Sequence, residues 1–156
     1  RSYVNMEIKM NALKIDKRIV EFIEEHHIFT LATSANNRPY TSTCFYVYLE
    51  EQNMFVFTSD HHTRHIKEAV AQNHVAGAVA LETSMVGLIQ GIQFTGIMSE
   101  LNGENLKIAQ KAYLKKFPVA RLMETHLWGI VPDFIKMTHN RLGFGKKLVW
   151  PAMPEE

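Results

Sequence analysis

Ile28-Phe-Thr-Leu-Ala-Thr-Ser-Ala-Asn-Asn-Arg-Pro-Tyr-Thr-Ser-Thr-Cys-Phe-Tyr-Val-Tyr-Leu-Glu-Glu-Gln-Asn-Met-Phe-Val-Phe-Thr58 holds three strand-like runs with only turn residues between them. Residues 28–35, 40–49 and 54–59 are rich in β-branched and aromatic side chains, while 36–39 and 50–53 supply turn chemistry. A parallel pair needs a crossover of about a dozen residues or more, so connections this short make the three strands an antiparallel meander. Along the second run Thr41, Thr43, Phe45, Val47 and Leu49 face one side and Tyr40, Ser42, Cys44, Tyr46 and Tyr48 the other. Both faces are semi-polar. That predicts core on one side and a ligand or a second subunit on the other.

Working outward, Ile15, Ile19, Phe22 and Ile23 recur at helical spacing behind Asp16, a suitable cap, and predict a first helix ending near Glu25. Downstream, residues 75–81 read as a strand of small residues and 88–101 as a long strand interrupted by Gly91 and Gly96, positions where a bulge or close backbone approach is expected. Residues 104–117 read as a helix with Leu106, Ala109, Tyr113 and Phe117 inward, stopped by Pro118. Residues 127–131, 134–138 and 146–150 read as three last short strands, the first two separated by Pro132-Asp133. The pattern is mainly β with flanking helices, as in an antiparallel β-barrel. It forms one domain over residues 11–156, with 1–10 expected to be an N-terminal extension or an expression remnant.

The third strand runs through Asp60, His61 and His62 into a second helix, which Ile66, Ala69 and Val70 carry to about Gln72. Thr63 stands at the N-cap. A helix N-terminus carries roughly half a positive charge and favours acids, yet Arg64, His65 and Lys67 open this one. An anion relieves the conflict. Phosphate held by free N–H groups, a hydroxyl and an arginine is a familiar solution, so the turn is a candidate phosphate site.

Charged residues make up 21% of the chain and the net charge is +1, so there is no global pull toward nucleic acid or an anionic membrane. No membrane-spanning segment is legible, and a single cysteine, Cys44, fits a reducing cytoplasm. Cys44 reads as a buried, inert thiol. Asp60, His61, His62 and His65 form the densest group of potential metal ligands, but their spacing matches no zinc pattern and no metal is assigned. No Gly-x-Ser-x-Gly elbow is present, and Gly91 to Gly96 lacks the spacing of a dinucleotide fingerprint. Lys107, Lys111 and Lys115 read as a solvated helix face.

In element order and in several motifs the chain resembles the FMN-binding split-barrel family related to pyridoxamine 5′-phosphate oxidase. In that family a Tyr-Thr-Asn turn followed by Ser-Arg-Lys carries flavin phosphate contacts, and Phe57-Thr58-Ser59 and Thr63-Arg64-His65 stand in the corresponding places. Pro39-Tyr40 leads into Thr43, Cys44 and Phe45 at matching spacing, and residues 90–101, with Gly96, resemble the family's long strand. The tail from Leu142 to Trp150 is similar to that of a small branch of the family.

The resemblance implies a split barrel that dimerises with FMN at the subunit interface and acts as an oxidoreductase or flavin reductase-like protein on a small-molecule redox substrate. It implies phosphate contacts from Thr63, Arg64 and His65, and ring contacts from Thr43, Cys44, Phe45, Thr58, Ser59, Gln90 and Gln93. Lys146 and Trp150 would contribute from the tail. Ser42 and Val47 replace the arginine and lysine of the oxidases, and Arg141-Leu142-Gly143 replaces their Arg-x-His element, so pyridoxamine phosphate oxidation is not expected. Two other readings remain open. One keeps the fold with deazaflavin, or with haem on His26, His27, His126 or His139; the other is a cofactor-free dimeric binding or regulatory module.

Overall fold

The computed structural model describes residues 14–122 and 126–152; the expected N-terminal extension lies outside them. The first helix, α1 (Lys17–Glu25), starts where Asp16 accepts a bond from the Arg18 backbone N–H at 2.9 Å. Its Ile19, Val20, Phe22 and Ile23 face the core. Strands β1 (Ile28–Ala35), β2 (Arg38–Leu49) and β3 (Met54–Thr58) follow as an antiparallel meander. Arg38 and Pro39 belong to β2 rather than to the turn, because Asn36 and Asn37 make the whole connection, at φ 53° and 59°. Asparagine tolerates this left-handed region, and two such residues give the tight hairpin that suits the twist of the strands.

Helix α2 (Arg64–Ala71) packs on β1 and leads into β4 (His74–Ala80). A short 3-10 turn, Val86–Leu88, precedes β5 (Gln90–Glu100), and α3 (Gly103–Lys116) follows. The expected pair of strands around Pro132-Asp133 is instead one 13-residue strand, β6 (Leu127–His139). Its pairing with β5 shifts by one residue, from Thr95 opposite Phe134 to Gly96 opposite Pro132. Asp133 is the extra residue of this bulge, and its carboxylate accepts a bond from the Thr95 hydroxyl. The bulge absorbs a proline that has no N–H for the ladder.

The last strand, β7 (Lys147–Trp150), pairs with the second half of β6, while the first half pairs with β3. The sheet order β3-β2-β1-β4-β5-β6 therefore closes on itself, and β7 splits away from the ring. All pairs are antiparallel. Inside the barrel, Phe29 touches Tyr46, Phe55, Phe57 and Phe94. Outside it, α3 lays Ala109 and Tyr113 on Leu49, Met54, Val56, Leu101 and Leu127, a separate apolar cluster.

Two glycines are dictated by this closure. A side chain at Gly77 would collide with the Phe94 ring, and a Cβ at Gly96 would lie 2.5 Å from the Val131 carbonyl oxygen. The second obstacle is backbone and cannot rotate aside. Gly96→Ala is expected to destabilise the fold by about 1–3 kcal/mol, read as a lower urea midpoint with an unchanged m-value.

Candidate functional site

The turn between β3 and α2 brings three of the expected residues together. Ser59 Oγ lies 2.6 Å from His65 Nε2 and 3.3 Å from Thr63 Oγ1, and Thr63 Oγ1 lies 3.4 Å from the same imidazole nitrogen. Thr58, the last residue of β3, adjoins Ser59 in the chain but alternates onto the Met54–Val56 face of the strand. Its hydroxyl oxygen is buried and has no hydrogen-bond partner among the described residues. The Trp128 indole N–H donates to the Ser59 carbonyl at 3.0 Å, tying the turn to β6.

Thr63 occupies the N-cap position but does not cap with its side chain. Its hydroxyl donates instead to the Asp60 carbonyl at 2.9 Å. The start of α2 is left without a side-chain acceptor, and the first N–H groups of a helix have none of their own. The Asp60 carboxylate is held below its usual range chiefly by a bond from the His62 backbone N–H at 2.7 Å.

Arg64 points elsewhere. Its Nε donates to Glu68 at 2.8 Å and its guanidinium lies 4.1 Å from the centre of the Tyr40 ring. Glu68 also accepts from the Thr33 hydroxyl at 2.7 Å, and the arginine bond, then the threonine bond, hold its carboxyl below the usual range. Sequence reasoning missed this Thr33–Glu68–Arg64–Tyr40 chain, though the spacing of Arg64 and Glu68 across one helical turn was a legible signal.

The other expected residues are spread over the fold. One register row runs across the sheet through Thr43, Thr30, Ala78, Gln93 and Lys136. Thr43, Phe45 and Gln93 are exposed on the outer face, where a 420 Å³ depression is lined by Thr30, Gln93, Phe94 and Phe134. Cys44 points inward and burial pushes its thiol pKa up. Gln90 and Lys146 lie at the far end of β6, Gln90 opposite His139 and the Lys146 carbonyl accepting from the His139 N–H at 2.9 Å. Trp150 is buried in the main core.

The sequence profile of pyridoxamine 5′-phosphate oxidase matches residues 15–138. The chain belongs to the pyridoxamine 5′-phosphate oxidase family. A UPF0306 protein, plu4501 of Photorhabdus laumondii, is 36% identical over 141 residues, spanning 90% of this chain and 99% of that one. Among solved structures, HutZ, the heme storage protein of Vibrio cholerae, superposes with TM-score 0.64 at 18% identity, covering 77% of this chain and 91% of that one. An FAD-binding protein of Mesorhizobium loti gives TM-score 0.64 at 16% identity, covering 77% and 89%. These structural likenesses confirm the split-barrel fold of the oxidase family. Among the described residues no helix is long and apolar enough to cross a membrane.

Burial lowers the pKa of His65 from its ordinary 6.5, favouring the neutral ring in the folded protein. The unfolded chain therefore takes up this proton first as the pH falls, so the stability His65 contributes is complete above the ordinary histidine range and is lost as acid protonates the folded ring. Thermal melts between about pH 7.5 and 5 are expected to fall more steeply for the wild type than for His65→Gln.

Proposed function

We propose that this chain is a homodimeric flavin-binding protein in which the phosphate of FMN sits on the turn between β3 and α2. The observation that carries the reading is the uncapped start of α2 beside the hydroxyls of Ser59 and Thr63 and the His65 ring. An anion there receives helix N–H groups and hydroxyl donors at once. His65, neutral, offers it one N–H. Oxidoreductase or flavin reductase-like activity is the chemistry FMN supplies when bound. The protein's part is to hold the phosphate and to present the ring to a small-molecule redox partner.

The spread of the remaining candidates supports a dimer. Gln90 and Lys146 are separated from the turn by the length of β6, 13 residues or roughly 40 Å of extended chain. An adjacent copy is the proposed means of bringing both groups to one flavin. The outer face of β1, β4 and β5 is the surface proposed to meet it, with exposed Ile28, Phe45 and Phe134 near the Thr43–Gln93 row.

Arg64 enters as a nearby charge rather than a direct phosphate contact, since Glu68 and Tyr40 already hold it. Thr63→Val is expected to weaken FMN binding by about 1.5–3 kcal/mol, the worth of a hydrogen bond to a charged group, which the hydroxyl makes by turning from the Asp60 carbonyl to the phosphate. Arg64→Ala should cost less. Riboflavin, which lacks the phosphate, should bind wild type and Thr63→Val alike; equal loss for both ligands would remove the phosphate from this turn. A visible spectrum of the purified protein, with mass analysis of whatever heat releases, separates FMN from deazaflavin, haem or no cofactor. Light scattering should return twice the chain mass.

A further inference from the structure

The turn that carries the proposed phosphate site also presents His61 outward, toward two residues far away in sequence. Glu100 ends β5, and His126 immediately precedes β6. His61 Nε2 lies 3.0 Å from the Glu100 carboxylate, and His126 Nδ1 lies 3.4 Å from it. The two imidazole rings are 3.9 Å apart between centroids, meeting edge to face. One ligand atom from each of the three residues lies within 4.8 Å of the others.

We propose that His61, Glu100 and His126 form a zinc site. Two imidazole nitrogens and one carboxylate oxygen are a donor set that Zn²⁺ accepts, with a fourth, open position for water or another ligand. Bonds of about 2.0–2.2 Å place tetrahedral ligand atoms roughly 3.4 Å apart. The His126–Glu100 separation is at that spacing and the His61–Glu100 separation, 3.0 Å, lies a little inside it, so rotation of exposed side chains is what closes the set.

The backbones beneath the three ligands are fixed independently of any metal. The His126 carbonyl accepts from the Ser59 N–H at 3.2 Å, and Thr63 N–H donates to the Asp60 carbonyl at 3.2 Å, which locks the turn on both sides of His61. Glu100 is held in register opposite Trp128. The His61 ring rests edge-on against the buried Trp128, 5.3 Å between centroids. Three chain segments thus converge on one small volume with little conformational freedom left to lose when a metal binds.

Two histidines brought together on one carboxylate also leave each imidazole a lone pair for a metal once the ring is neutral. The site shares the turn with the proposed flavin phosphate, but its ligands are different residues and it does not depend on that reading.

The test is calorimetric titration of the tag-free, chelator-treated full chain with zinc chloride, without any flavin. One zinc per chain is expected, with saturable binding. His61→Ala, His126→Ala and Glu100→Gln should each weaken it by about tenfold or more. His74→Ala, an exposed residue at the start of β4, and His62→Ala, in the same turn, should leave it unchanged. Absence of saturable binding, or equal weakening by His62→Ala, would overturn the assignment. The three ligand residues are exposed, so the variants should fold; circular dichroism identical to wild type makes an affinity loss interpretable.

Discussion

The fold depends on the Phe29 ring and the four aromatic rings around it. Tyr46, Phe55, Phe57 and Phe94 approach it from β2, β3 and β5, and Phe55 and Phe94 stack with centroids 4.3 Å apart at 7°. The barrel closes around this cluster only because Gly77 has no side chain to occupy the place of the Phe94 ring. Aromatic burial of this extent dominates the core energetics. It also fixes which faces point out, since a slip of one residue would turn every inward ring into solvent.

Closure of β3 on β6 then decides where chemistry is possible. Thr58 pairs with Leu127, so the chain leaving β3 passes directly beside the chain entering β6. Ser59 is bonded to His126 through the backbone and to Trp128 through its carbonyl. The same closure gives the turn two surfaces. Thr63 and His65 converge on Ser59, while His61 looks toward Glu100 and His126. A polar cluster supported by paired strands is better preorganised than one on a free loop.

Local rules made most of the secondary structure readable. Asp16 caps α1, paired asparagines turn the first hairpin, and the strand-like run 28–35 coincides with β1. The single long β6 was not readable, because Pro132 ordinarily ends a strand and only the partner strand provides the bulge that retains it. Arg64 was expected to face an anion. Its actual partners, Glu68 and Tyr40, include one from the next helical turn and one from strand β2, and only the first is implied by spacing.

The sequence by itself determined the meander, the helices and the positively charged helix start, since each rests on neighbours within a few residues, and the oxidase-family resemblance, which rests on the order of such elements along the chain. Tertiary structure decided which side chains share a site. It separated Gln90 and Lys146 from the Ser59 turn by the length of β6, and it joined His61 to Glu100 and His126 across long stretches of chain. Strand register sets these distances. Turn geometry sets the register of the hairpins, as Asn36-Asn37 does for β1 and β2, but the pairing of strands distant in sequence, such as β3 with β6, follows from how the rings pack inside the barrel.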